Sequence, residues 1–175
     1  MNVINSENSL FLVIDIQEKL VKMLENDDVA KNGIKLMKAA NILNIPTIIT
    51  EQYPKGLGET INEIKEAISS AKYVEKTSFS AYDGVKQYLN KKQVILFGIE
   101  SHICVLQTAF DLINKGYEVF LVKEAVGSRN INDKKTAINR MQIAGVQIVS
   151  VEMVIFELLK TSMHKDFKLV QSIIK

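Results

Sequence analysis

Residues 10–16 read Leu-Phe-Leu-Val-Ile-Asp-Ile, an apolar run broken only by Asp15. A run this short, apolar on both faces, predicts a strand covered from both sides, as in a parallel sheet flanked by crossover helices. Similar runs recur at residues 46–50 (PTIIT), 93–97 (QVILF), 117–122 and 146–149, with a weaker one at 72–75. Segments of helical spacing separate them, at residues 27–44, 60–70, 81–90, 102–115 and 133–144. Two more helical pieces, 151–160 and 165–175, close the chain. Thr60-x-x-Glu63 has the pattern of a capping box, Ser80-x-x-Asp83 opens the helix after it, and Gly116 marks a helix stop. The alternation predicts one α/β domain over residues 1–175. Its expected form is a Rossmann-like three-layer sandwich, with six parallel strands in the order 3-2-1-4-5-6 and helices on both faces.

Composition narrows the function classes. The chain has 175 residues, 47% hydrophobic and 24% charged, within the range of ordinary globular domains. Its 22 basic and 20 acidic residues are scattered and form no basic stripe, so nucleic acid is not an expected partner. No apolar run is long enough to cross a bilayer, and residues 1–9 do not have the pattern of a signal peptide. One cysteine forms no internal disulfide, which fits a reducing, cytoplasmic setting.

In an open parallel sheet, ligands bind beyond the carboxyl ends of the strands, where the strand order reverses. Asp15 ends the first expected strand, Lys76 follows the third, and Cys104 follows the fourth, in the first turn of a helix. A lone cysteine is commonly a small buried hydrophobe. At a helix N-terminus and beside a lysine, it is instead a candidate thiolate nucleophile. Asp15 reads as a general base or as a structural ion pair, and Lys76 as its partner or as a solvated loop residue.

The segment Phe97-Gly98-Ile99-Glu100-Ser101-His102-Ile103-Cys104-Val105 resembles the nucleophile motif of the isochorismatase-like cysteine hydrolases. That family includes nicotinamidases and N-carbamoylsarcosine amidase. Val13-Ile14-Asp15-Ile16-Gln17 is similar to the family's Asp-x-Gln motif in its first strand. Lys76-Thr77-Ser78-Phe79-Ser80-Ala81-Tyr82 is similar to its lysine loop, where Phe is commoner at the last position. Residues 50–58, Ser128-Arg129 and Phe156-Glu157-Leu158-Leu159 resemble the isochorismatase domain-containing branch.

The resemblance implies a triad of Asp15, Lys76 and Cys104. It also implies a cis peptide between Ile99 and Glu100, and an oxyanion hole from the backbone N–H groups of Glu100 and Cys104. Substrate contacts are expected from Gln17, Phe79, Tyr82 and His102. For each the blander role stays open: Gln17 holding Asp15, the aromatics in the core, His102 as a polar residue on a helix turn. The relatives imply a homo-oligomer, a dimer or larger.

Departures from the relatives bear on substrate. Nicotinamidases carry an Asp-x-His metal motif after the second strand, where this chain has Glu51-Gln52-Tyr53. Its two histidines, His102 and His164, lack ligand spacing with another His or Cys, so neither metal nor cofactor is expected. True isochorismatases generally lack the cysteine, so Cys104 favours acyl transfer, with hydrolysis of a small amide or carbamoyl C–N bond. A catalytically idle, oligomeric binding protein is the other reading.

Overall fold

The computed structural model describes residues 3–174. In chain order it comprises β1 (Ser9–Ile14), α1 (Glu18–Val21), α2 (Asp28–Leu43), β2 (Thr47–Gln52), α3 (Pro54–Leu57), α4 (Asn62–Glu66), β3 (Lys72–Lys76) and α5 (Tyr82–Val85). After a 3₁₀ turn follow β4 (Gln93–Ile99), a π-helical turn (Ser101–Val105), α6 (Leu106–Asn114), β5 (Glu118–Gly127), α7 (Ile131–Ile143), β6 (Gln147–Val149), α8 (Val151–Leu159) and α9 (Phe167–Ile174).

The six strands form one parallel sheet in the order β3-β2-β1-β4-β5-β6, with helices on both sides. Both the fold class and the strand order are those the sequence predicts. Every residue of β1 and of β4 is buried, so the two central strands have no solvent face. Phe11 of β1 and Phe97 of β4 meet edge to face at 6.0 Å between ring centroids, within the range favoured by aromatic quadrupoles. Because β1 and β4 are neighbours, the reversal point lies between their carboxyl ends.

The differences from the sequence reading have local causes. β1 stops at Ile14 because Asp15 takes a left-handed conformation, φ 49°, which breaks the extended backbone. Thr60 forms no capping box with Glu63. Its backbone N–H and its hydroxyl each donate to Glu51 Oε1 at 2.7 Å, and the helix that follows is only the short α4. The helix expected at 81–90 is broken into α5 and a 3₁₀ turn, with Ser80 Oγ donating to Asp111 of α6. β5 runs on to Gly127, past a shift in its pairing with β4 between Leu96 and Gly98. The terminal helix expected at 165–175 is realised as α9, and Lys175 lies outside the described residues.

Gly98 makes the junction of the central strands possible. Its φ is 129°, and a Cβ there would stand 2.0 Å from the Ile14 carbonyl oxygen. Backbone, unlike the end of a flexible side chain, cannot give way at that separation. The Gly98→Ala variant is therefore expected to lose about 4 kcal/mol or more of stability in chemical denaturation. An unchanged unfolding midpoint would contradict this account of the β1–β4 junction.

Candidate active site

Asp15 leaves the end of β1 fully buried. Asp is among the few residues besides glycine that adopt the left-handed region at modest cost. Its Oδ1 accepts a 2.7 Å hydrogen bond from Thr50 Oγ1, on the neighbouring strand β2. Its Oδ2 lies 2.7 Å from Lys76 Nζ. That contact is an ion pair without hydrogen-bond geometry, so Oδ2 keeps lone-pair capacity toward the thiol.

Lys76 ends β3 with only 3% of its side chain exposed. Its ammonium donates to Gln52 Oε1 at 2.7 Å and to the carbonyls of Ser78 and Phe79 at 3.2 and 3.1 Å. Gln52 is itself fixed by its Nε2–H, which donates to the Thr77 carbonyl at 2.8 Å. The ammonium thus has an oxygen partner for every proton. A buried ion pair survives desolvation only with supplementary bonds of this kind.

Cys104 sits on the π-helical turn rather than in the first turn of an α-helix, and is 6% exposed. The Glu100 carbonyl accepts from the N–H groups of Ile103 and Val105, at 3.1 and 3.2 Å. Thr108 Oγ1 donates to the Cys104 carbonyl at 2.7 Å and accepts from the Ala81 N–H at 2.9 Å. The Ile99–Glu100 peptide bond preceding the turn is cis. Burial first, and then the negative charge of Asp15, push the thiol up to about 12, with Lys76 only partly opposing them. This corrects the thiolate expected from a helix terminus and a lysine, because Cys104 lies on the π-turn and desolvation with Asp15 outweighs Lys76. At neutral pH the resting group is a thiol, with Asp15 and Lys76 both within hydrogen-bonding reach.

Asp15, Lys76 and Cys104, from three separated segments, therefore converge in one buried cluster. The other expected contacts divide. Gln17 is fully buried and engaged by backbone: Nε2 donates to the carbonyls of Gln52 and Gly58, and Oε1 accepts from the Gln52 N–H at 2.7 Å. It clasps the segments after β1 and β2 together. The chain around Tyr82 runs along α6, with Ala81 bonded to Thr108, Ser80 to Asp111, and Lys115 Nζ 5.9 Å from the Tyr82 ring centroid. Tyr82 itself is half-buried, next to Ala81, whose bond to Thr108 links this loop to the Cys104 carbonyl. Phe79 stays beside the site through its carbonyl, and the residue is 55% exposed. His102 is half-buried, with Nδ1 2.9 Å from Ser128 Oγ.

Thr50 and Gln52 were missed. Their signal was the polar Thr50-Glu51-Gln52 ending a strand that opens in apolar residues, in register with Asp15's strand. Among the described residues no group of three or more His, Cys, Asp or Glu side chains stands where it could hold a metal.

The Isochorismatase domain pattern matches residues 9–153. This chain belongs to the isochorismatase family. Isochorismatase domain-containing protein 2 of Danio rerio is 37% identical over 98% of this chain and 89% of its own length. Isochorismatase domain-containing protein 1 of the same organism is also 37% identical, and there the alignment spans 95% of this chain but 61% of the longer relative. Among solved structures, one described as MAR1 ribonuclease from Caenorhabditis elegans superposes with a TM-score of 0.92 and 40% identity, covering 99% of this chain and 92% of that one. YcaC from Pseudomonas aeruginosa, described with hexane-2,5-diol and covalent acrylamide, gives 0.91 and 26%, covering 98% and 91%. The Escherichia coli YcaC product, described as an octameric hydrolase of unknown specificity, gives 0.87 and 26%, covering 97% and 95%. This chain carries the fold of that hydrolase.

The charge balance around the thiol has a measurable sign. Asp15→Asn removes the charge that raises Cys104 and leaves Lys76 to lower it. Alkylation of Cys104 by iodoacetamide at pH 8 is then expected to quicken about tenfold, the effect of roughly one pKa unit on the thiolate fraction. In the unmodified protein the rate should keep climbing beyond pH 9, where an ordinary cysteine levels off, because the thiol is held near 12. A slower Asp15→Asn reaction or an early plateau would contradict this balance.

Proposed function

We propose that this single domain is a metal-independent cysteine hydrolase that cleaves the C–N bond of a small amide or carbamoyl compound through an acyl-enzyme. The observation that carries the reading is the buried contact of Asp15 with Lys76 beside the Cys104 thiol. A general base ion-paired to a cation and within reach of a protonated nucleophile is an arrangement suited to covalent acyl transfer.

In the proposed sequence, Asp15 takes the thiol proton as Cys104 Sγ bonds to the substrate carbonyl carbon. The carbonyl oxygen becomes an oxyanion facing the N–H groups of Glu100 and Cys104. The C–N bond then breaks, and Asp15 passes its proton to the leaving amine. Water attacks the thioester and gives a proton to Asp15, which returns it to sulfur as the acid departs. Lys76 keeps the carboxylate oriented throughout and balances its charge. Phe79 and His102 flank the entering substrate.

Further observations bear on the chemistry, the assembly and the compartment. Family membership supplies a hydrolase fold. The Pseudomonas neighbour described with covalent acrylamide fits a fold that presents a reactive nucleophile to a small amide. The octameric neighbour favours a homo-oligomer. A catalytic thiol without a disulfide partner suits a reducing, cytoplasmic compartment.

The ribonuclease described among the neighbours makes RNA the competing substrate. A net charge of only +2, with basic and acidic residues interspersed, argues against an RNA-binding face. A panel of small amides and carbamoyl compounds should release ammonia or amine with the native protein. Turnover is expected to fall at least ~1,000-fold in Cys104→Ala, as when a covalent nucleophile is removed. RNA cleavage that survives Cys104→Ala, with no amide turned over, would overturn the reading.

A further inference from the structure

We propose that Glu100 is a positioning residue for Cys104, holding the nucleophile turn in register through a side-chain tether to the end of β5. The inference rests on the assignment of Cys104 as nucleophile and goes beyond it. Backbone pairing between β4 and β5 ends at Ile99 and Gly127. Past that point three successive side chains continue the junction. Glu100 Oε1 accepts from the Arg129 N–H at 3.1 Å and from Arg129 Nε–H at 3.0 Å. Ser101 Oγ donates to the Gly127 carbonyl at 3.0 Å, and His102 Nδ1 lies 2.9 Å from Ser128 Oγ.

Ser101 and Glu100 both bind the turn and the end of β5, and of the two Glu100 does so with a charged group. Its carbonyl receives two N–H groups of the turn that carries Cys104, while its carboxylate grips the loop after β5. That carboxylate is 8% exposed although its partner Arg129 is 52% exposed. A nearly buried acid is costly unless its bonds are kept, so the tether resists loosening. The charges that act on the thiol are those of Asp15 and Lys76. Glu100 therefore works on the sulfur through its location, and a displacement near 1 Å can cost about 100-fold in rate.

Acrylamide is a probe that needs no known substrate. The Cys104 sulfur bonds to its terminal carbon, the C=C bond becomes single, and the thiol proton ends on the neighbouring carbon. With one cysteine in the chain, intact mass reads a single addition. Glu100→Ala is expected to slow capture about tenfold or more and to lower kcat about 100-fold with KM nearly unchanged. Glu100→Gln keeps an acceptor oxygen for both N–H groups and should restore capture to within a few-fold of the native rate. Arg129→Ala removes only the exposed half of the tether, so it should fold and give an intermediate loss. Native capture in Glu100→Ala or Arg129→Ala, with only the melting temperature lowered, would overturn the proposal. Uptake of acrylamide by Cys104→Ala would instead overturn the nucleophile assignment, so the two failures are distinguishable.

Discussion

The ion pair between Asp15 and Lys76 is the constraint on which the site depends. Both side chains are nearly withdrawn from water, and removing either would strand a buried charge at a cost of about 3–5 kcal/mol. The sheet supplies what the pair needs. β2, lying between β1 and β3, provides Thr50 for the carboxylate and Gln52 for the ammonium. The loop after β3 turns two carbonyls onto the same ammonium. The order of the strands is therefore also the order of the electrostatic network.

The pair sets the state of the sulfur beside it. A thiolate poised in advance would need its environment to favour negative charge, but here burial and Asp15 oppose it. In the proposed mechanism the proton stays on sulfur until an electrophile arrives, and Asp15 takes it as the new bond forms. Such a nucleophile is guarded from adventitious oxidation and alkylation, both of which follow thiolate character and exposure. On this view the Lys76 contact with Asp15 matters more than its direct pull on the thiol.

Much of this was legible in the sequence, and the exceptions have physical reasons. Six short apolar runs separated by helical segments fixed the layer architecture, because strands buried on both faces admit few other residues. Asp15 stood out as a charge inside such a run, whereas Lys76 and Cys104 gained meaning only together, through the resemblance. The bonds Gln17 makes to the loop backbone were not legible, because the left-handed Asp15 ends the strand without leaving a mark in the residue types. Thr60 and Glu63 have the spacing of a capping box, yet a buried Glu51 nine residues earlier competed for the same donors and won. The sign of the shift on Cys104 depends on how deeply the turn is buried, a tertiary quantity no local pattern encodes.

The claim that Cys104 forms a covalent intermediate is tested most directly by rapid acid quench during turnover of a small amide, followed by intact and peptide mass measurement. A transient acyl group on the peptide containing Cys104, gone once substrate is exhausted, is the result this account predicts. Turnover at the native rate with that peptide unmodified at every quench time, and retained by Cys104→Ala, would contradict it.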